Sequence, residues 1–482
     1  MGAIKKIINK YKAIPVVTKV AIWFAICSIL QKGISFITVP IFTRLMTPEQ
    51  YGQFSVYNSW HQIIAIFATL NLSYGVFNNG MTKYPDDRDK YTSSMQGLST
   101  LITLVLFVIY LPLQNIVNGF TGLSTMLMLV MFADILTAPA LAFWSARQRY
   151  EFKYVALVIL TVAITVLSPG LCLIAVKVAT EKGVAKIVTA ALVNICAGLF
   201  FYIFNVIKGK KIFSRDYWGF ALKFNLPLIP HYLSMVILAQ SDKIMIDKFF
   251  GEREVAIYSV AYSFSLIMNI VTNSVNSSYI PWTYHKLKEN DIGPLKKNTT
   301  LLLLGMAAVS LLPVMVAPEI MWIMAPADYA EGIWIIPPIS TSVFFTFLYS
   351  LFGNIEFYFE KTKFVMVAST MCAGINIVLN ATLMPIFGYM AAAYATMICY
   401  IIFAMAHYIF MRIVCRDKMG IKSVYDDKLI LVISAVYLGC TGLIMLTYSF
   451  TAVRYALLGI AFVAVIVMRK KIIGFIKKIK NK

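Results

Sequence analysis

The stretch AQSDKIMIDKFFGEREVAIYSVAYS, residues 239–263, decides how the whole chain is read. Asp242, Lys243, Asp247 and Lys248 interrupt a run that otherwise has the apolar character of a membrane-crossing helix. Ionised side chains are costly in hydrocarbon, so these four mark either a working site or the hydrated end of a helix. The choice depends on the depth of each charge, and depth depends on the topology of the entire chain.

Of 482 residues, 60% are hydrophobic and only 13% charged, with a mean hydropathy of +0.76. Soluble chains carry roughly 25% charged residues. This composition belongs to a polytopic membrane protein. Apolar runs recur from end to end, each long enough to cross a bilayer core of about 30 Å. They have helical length, and short alternating segments are missing, so an all-α bundle is expected and not a β-barrel. The net charge of +21 would suggest nucleic acid in a soluble protein. Here it reflects Lys- and Arg-rich cytoplasmic loops, and no nucleic-acid partner is expected. The start, MGAIKKIINKYKAIPVVTKVAIWF, shows no small-residue cleavage site after its apolar run and does not read as a signal peptide. The seven Cys and four His are scattered without paired spacing, so neither disulfides nor a metal site are expected.

Charged and turn-rich breaks divide the chain into about fourteen spans, near 16–43, 53–77, 92–113, 122–145, 154–177, 187–207, 219–247, 254–282, 298–325, 333–358, 364–386, 388–411, 428–449 and 451–469. Of the 43 Lys and Arg, Arg44, Lys177, Lys182, Lys186, Lys248, Arg253 and Arg454 fall in the odd-to-even loops, and Lys32 and Lys243 fall within spans. All others lie at the termini, in the even-to-odd loops or, as with Lys19, Lys223, Lys428 and Arg469, at the span ends that adjoin them. That bias places both termini in the cytoplasm. The loops are short, leaving no room for a soluble catalytic domain, and an enzyme is not expected.

The first two spans have a counterpart six spans later. RLMTPEQYGQFSVYNS (44–59) aligns with KFFGEREVAIYSVAYS (248–263), pairing Arg44 with Lys248, Ser55-Val56 with Ser259-Val260 and Ser59 with Ser263. Copies separated by an even number of spans run in the same direction, giving a parallel repeat about an axis along the membrane normal. The expected organisation is a six-helix lobe over 1–212, a second over 213–415, and two further helices with a basic tail over 416–482. Both copies carry polar faces. Span 2 gathers Ser55, Asn58, Ser59, Gln62, Thr69 and Ser73 on one sector, and span 8 gathers Ser259, Tyr262, Ser263, Asn269, Asn273, Asn276 and Ser277. Such stripes face protein or water, either as interhelical hydrogen bonds or as the walls of a hydrated cavity.

At 1.5 Å per residue, Asp242 and Lys243 lie roughly 10–12 Å above the midplane and Asp247 and Lys248 reach the outer interface. The opening stretch therefore reads mainly as a helix end, with a Lys243–Asp247 ion pair at an outer mouth as the alternative. Lys32 in span 1 and Asp134 in span 4 come closest to the midplane, where an ionised group costs about 2.5–3.5 kcal/mol. They are expected to face each other as a pair, either structural or open to a cavity. Lys32 shares its face with Gln31, Ser35 and Thr43. Pro40, Pro139, Pro169, Pro227, Pro230, Pro313 and Pro318 are expected to interrupt spans 1, 4, 5, 7 and 9.

LQKGISFITVPIFTRLMTPEQYGQFSVYNSW (30–60) resembles the opening signature of bacterial polysaccharide-repeat flippases. SDKIMIDKFFGEREVAIYSVAYS (241–263) is similar to their seventh-helix signature, with Lys243 where Arg is common and Ala256 where Gly is usual. These flippases belong to the multidrug/oligosaccharidyl-lipid/polysaccharide exporter superfamily. The resemblance implies transfer of a polyprenyl-diphosphate-linked oligosaccharide from the cytoplasmic to the outer leaflet of a bacterial inner membrane, for surface polysaccharide synthesis. On that reading Lys32, Lys243, Arg44 and Lys248 are the candidate cations for the diphosphate. Gln31, Ser35, Asn58, Ser59, Gln62, Thr69, Ser263, Asn269, Asn273 and Asn276 are the candidate sugar contacts. Asp134, Asp242 and Asp247 are the candidate carboxylates for coupling to H⁺ or Na⁺. No cofactor is expected, and no phosphate loop for ATP is present in the sequence. Membrane lipids and glycan polymerase machinery are the expected partners of a monomer. The rival readings are an ion-coupled drug or cation antiporter and a peptidoglycan-precursor flippase of the same superfamily. A non-transporting scaffold is disfavoured by the polar stripes and deep charges.

Overall fold

A computed structural model describes residues 15–265 and 267–460. The basic start of the chain, the far part of the fourteenth span and the basic tail lie outside the described residues. Within them helix follows helix without a strand. The long helices are α1 (Val16–Leu45), α2 (Pro48–Thr69), α3 (Arg88–Thr121), α4 (Thr125–Tyr150), α5 (Tyr154–Val178), α6 (Lys182–Gly209), α7 (Arg215–Phe249) and α8 (Glu252–Lys288). They are followed by α9 (Ile292–Met315), α10 (Ile336–Tyr358), α11 (Lys363–Phe387), α12 (Ala391–Met419), α13 (Asp427–Leu446) and the apolar α14 (Thr451–Ile460). Twelve of these are long and apolar enough to cross a membrane. The two others are α2, whose Gln53, Asn58, His61 and Gln62 dilute its apolarity, and α14, which runs to the edge of the described residues. The fold is thus the expected all-helical membrane bundle.

Local chemistry fixes where helices begin and end. Thr47 caps α2: its hydroxyl accepts from the Gln50 N–H at 3.4 Å, and the Gln50 side-chain oxygen accepts from the Thr47 N–H at 3.2 Å, with Pro48 as first helical residue. The α3 helix stops at Gly122, whose φ of 74° is open to glycine at little cost, and its N–H donates to Asn118 O at 2.8 Å. Pro40, Pro139 and Pro169 lie within α1, α4 and α5, while Pro227 sits in a 3-10 turn that interrupts α7 at Leu226–Leu228. The expected ninth span, 298–325, is two helices: α9 ends at Met315 and a short helix occupies Ala317–Met324. Pro318 has no N–H to continue the ladder, which accounts for the break.

Packing divides the chain into two compact units. The first comprises residues 1–263, 324–329 and 362–399, as far as these are described. In it α6 packs on α4 and α5, α1 on α5, and the 229–249 part of α7 on both α2 and α11. Small residues allow these approaches, as membrane helices require in the absence of a hydrophobic drive. A Cβ on Gly198 of α6 would lie 2.7 Å from the Thr137 carbonyl oxygen of α4, and one on Gly52 of α2 would lie 1.7 Å from the Glu252 carbonyl oxygen. At the end of α4, Arg147 pairs with Asp89 and donates to Glu151 at 2.8 Å, and Lys153 donates to Glu151 at 2.6 Å. Burial acts to raise the Glu151 carboxyl, but the hydrogen bonds from Lys153 and Arg147 outweigh it and hold the group below its ordinary value.

The second unit comprises residues 264–323, 330–361 and 400–482, as far as these are described. Here α9 packs on α10 and α13. Phe344, Phe347, Leu351 and Tyr437 form its core, with the Phe344 and Tyr437 rings stacked at 4.3 Å. The lobes expected from the repeat, 1–212, 213–415 and 416–482, divide the chain by internal likeness, a different criterion from packing.

Candidate functional site

In the first unit, α2 and α7 present matching polar faces. Ser59 and Gln62 lie one turn apart on α2, and Gln240 and Lys243 lie one turn apart on α7. Ser59 donates to Gln240 Oε1 at 3.0 Å, Gln240 Nε2 donates to Gln62 Oε1 at 3.1 Å, and Lys243 Nζ donates to Gln240 Oε1 at 3.2 Å. The Lys243 ammonium also lies 5.2 Å from the centre of the Tyr262 ring. These contacts turn Lys243 away from Asp247. The alternative Lys243–Asp247 ion pair is not formed, although the two share a helix face; Asp247 and Lys248 lie instead near the α3 end at Gly122.

The adjacent face of α7 holds the most densely bonded carboxylate. Asp242 is only 2% exposed. Its oxygens accept from Tyr258 Oη at 2.5 Å, Thr396 Oγ1 at 2.7 Å and Asn380 Nδ2 at 2.7 Å. Ser241 donates to Asn376 at 2.9 Å, Asn376 donates to Thr396 at 3.2 Å, and Asn380 donates to Asn376 at 3.3 Å. The Asn380 amide oxygen is buried without a hydrogen-bond partner. Asp242 thus belongs to a polar core joining α7, α8, α11 and α12. The helix-end reading of this residue is corrected: α11 and α12 cover it, and neutral donors satisfy it. Asn376, Asn380, Thr396 and Tyr258 were not singled out from the sequence. Two Asn four residues apart in an otherwise apolar span were the signal.

A third group surrounds a cavity of about 170 Å³ between α2, α3 and α4, lined by His61, Thr69, Ser73, Ser99 and Pro139 among others. His61 Nε2 lies 3.1 Å from Asp134 Oδ2, and the other oxygen, Asp134 Oδ1, is buried without a hydrogen-bond partner. The partner of Asp134 is therefore His61 and not Lys32. Lys32 is exposed and forms no ion pair among the described residues. Equal depth along two helices does not make two side chains face each other, and α1 lies chiefly against α5.

The remaining expected residues are dispersed. Gln31 and Ser35 are exposed on α1, where Ser35 donates to the Gln31 carbonyl at 2.9 Å. Arg44 is exposed and donates to the Pro40 carbonyl at 2.9 Å. Asn58 is half-buried, and Thr69 donates back to Ala65 O at 2.7 Å. Ser263 is exposed and donates to Ser259 O at 2.6 Å. In the second unit, Asn276 donates to Ser350 of α10 at 3.1 Å, Asn269 is half-buried and Asn273 is exposed.

Comparison with known proteins bears on this arrangement. A protein of the Lsg locus of Haemophilus influenzae is 22% identical over 368 residues, covering 74% of this chain and 88% of that one. A second Haemophilus influenzae membrane protein is 23% identical over 372 residues, covering 72% and 86%. Among solved structures, the lipid II flippase MurJ in an inward closed conformation shares the fold with a TM-score of 0.72 at 16% identity, over 94% of this chain and all of that one. A multidrug resistance MATE family transporter of the MOP superfamily, inward-facing, aligns with a TM-score of 0.54 at 15% identity, over 82% of this chain and 96% of that one. Residues 17–284, more than half of the chain and including α2, α7 and the polar array between them, match the polysaccharide biosynthesis protein family. The chain belongs to that family, and its fold is shared with the multi-pass lipid II flippase and MATE transporter structures.

Proposed function

We propose that this protein flips a polyprenyl-diphosphate-linked oligosaccharide repeat unit from the cytoplasmic to the outer leaflet of a bacterial inner membrane, supplying surface polysaccharide synthesis. The observation that carries the reading is the hydrogen-bonded array of Ser59, Gln62, Gln240 and Lys243 inside helices otherwise suited to lipid. Amides and hydroxyls match sugar hydroxyls, and an ammonium in low dielectric matches a diphosphate. Exposed Lys32, free of any carboxylate, is a second cation for the anionic headgroup, while the polyprenyl tail stays in hydrocarbon. The lobes 1–212 and 213–415 alternate access to the two leaflets, with both termini cytoplasmic and one copy sufficient.

The Asp242 cluster is the coupling site in this reading. The buried Asp242 carboxylate and the orphaned oxygen of neighbouring Asn380 are the groups offered to Na⁺ or a proton as the driving ion. Asp134 with His61 is a second titratable pair, beside the α2–α4 cavity.

A peptidoglycan-precursor flippase is the second reading, favoured by the fold shared with the lipid II flippase. Both substrates are diphosphate-linked lipids, so the deciding experiment uses each. The gene is expressed in one strain lacking its polysaccharide flippase and in another depleted of its lipid II flippase, and outer-leaflet glycan is measured with an external glycan-cleaving enzyme. Rescue of the first alone supports the polysaccharide reading, and rescue of the second alone replaces it. In the rescued strain, cysteines at Asp328 and Thr180 should label from outside and one at Asn290 only after permeabilisation; external labelling at 290 reverses the orientation.

A further inference from the structure

The most completely enclosed ion pair among the described residues takes no part in the site above. Glu356, near the C-terminal end of α10, and His407, in α12, have no side-chain exposure (0% for each). The imidazole Nδ1 lies 2.9 Å from both carboxylate oxygens. Phe403 meets the imidazole edge to face at 4.5 Å and Tyr349 lies 5.6 Å from it. Gly353 lies beside the ring: a Cβ added there would make ordinary contact with Nδ1, at 3.9 Å.

The chemistry differs from that at Asp242. There, three neutral donors satisfy the ionised carboxylate. Here, among the described residues, His407 is the one donor to the Glu356 side chain, and that donor is itself titratable. Facing the pair, Tyr349 is a further titratable group, its ring 5.6 Å from the imidazole. No charged side chain from α8, α9 or α13, the helices that pack on α10, acts on the carboxylate, and Arg412 of α12 pairs with Asp427 at 3.6 Å. With the imidazole's own proton on Nε2, one further proton between Nδ1 and the carboxylate makes the pair neutral and hydrogen-bonded. Without it the pair carries a net negative charge, and the imidazole can donate to the carboxylate only by moving its own proton to Nδ1; with a second, a net positive charge sits against Phe403.

We propose that Glu356 and His407 form a proton-binding site, separate from the Asp242 cluster, that holds one proton while α10 and α12 are packed together and exchanges it when water reaches the pair. The proposal rests on the reading of the chain as a transporter and is independent of which glycan it carries. A purely structural pair would keep its proton throughout.

The test uses the full-length protein purified in detergent, with ¹⁵N-labelled histidine, stepped between about pH 5 and pH 9. The infrared carbonyl band of protonated carboxyls and the His407 resonance, identified by its loss in His407→Gln, are followed together. The expected result is that both signals change with the pH step and that both changes disappear in Glu356→Gln. Signals that stay constant across the range, or changes that persist in Glu356→Gln, overturn the proposal. Should Glu356→Gln fail to accumulate, Glu356→Asp takes its place: a displaced carboxyl band with a displaced His407 titration supports the site, and unmoved signals overturn it. No glycan is present in this measurement, so its failure leaves the flippase reading standing and the failure of that reading leaves the titration interpretable.

Discussion

Asn380 donates to Asp242 at 2.7 Å while its own amide oxygen is buried without a hydrogen-bond partner. An orphaned buried acceptor is costly unless something binds it, and a small cation beside a carboxylate would. Na⁺ is therefore expected to stabilise the purified protein by about 2–3 kcal/mol when present at about one hundred times its dissociation constant. Asp242→Asn and Asn380→Leu should each lose that response. Stabilisation by acid and not by Na⁺ would make the proton the ion bound at Asp242. A melting temperature indifferent to both would remove Asp242 from the coupling role.

The 3.1 Å contact between His61 and Asp134 predicts where double mutants interact. Asp134→Asn leaves His61 facing a neutral amide, and His61→Gln leaves a buried carboxylate with fewer partners. The two changes should therefore be non-additive by about 0.5–3 kcal/mol in thermal stability. Lys32→Gln combined with Asp134→Asn should be additive. Coupling of Asp134 to Lys32 in place of His61 would contradict the arrangement described here.

Much of the fold was legible because apolar length alone specifies membrane helices, and because α2 departs from that pattern through the same polar stripe that forms its contacts with α7. The site was legible only in part. Charges were easy to see, and depth along a helix was easy to estimate, but the direction in which a side chain points around the helix was not. Hence Lys32 and Asp134 were matched by depth while His61 supplied the partner. Asp242 was read as part of a helix end from its depth alone, and its partners stayed hidden because they are neutral and remote: Asn380 lies 138 positions later and Thr396 lies 154. A search for charges passes over Asn, Thr and Tyr. The spacing of Asn376 and Asn380 by one helical turn was the available clue.

Gly52 sets a steric test in α2. An added Cβ would lie 1.7 Å from the Glu252 carbonyl oxygen, which belongs to the backbone and cannot rotate aside. Gly52→Ala should force the helix start and the α7–α8 turn apart and destabilise this packing by about 1–3 kcal/mol. Gly33→Ala is the control, because nothing lies within 4 Å of its Cβ position. There the change should be neutral, or stabilising by up to about 1 kcal/mol through helix propensity. Equal melting temperatures for Gly52→Ala and wild type would show that this close approach is not maintained in the membrane protein.

The cluster at the end of α4 gives the pH dependence its sign. Hydrogen bonds from Lys153 and Arg147 overcome the effect of burial and hold the Glu151 carboxyl below its ordinary value. A carboxyl depressed in the folded state contributes stability that is fully present above its unfolded value, about pH 4.3. That contribution is lost as the pH falls through the depressed folded value. The Glu151 side chain is only 11% exposed and Arg147 only 14%, so solvent screening removes little of it. Charge-assisted hydrogen bonds of this kind are worth about 1.5–3 kcal/mol. Glu151→Gln should therefore lower stability by that order at neutral pH and flatten its decline below about pH 4. Lys153, whose side chain is 67% exposed, should matter less: Lys153→Met should cost under about 1 kcal/mol. The measurement is thermal unfolding of each purified variant across the acid range. A Glu151→Gln curve that runs parallel to wild type down to the lowest pH would mean that Glu151 titrates alike in the folded and unfolded chain, and that the Arg147 and Lys153 contacts do not hold its charge.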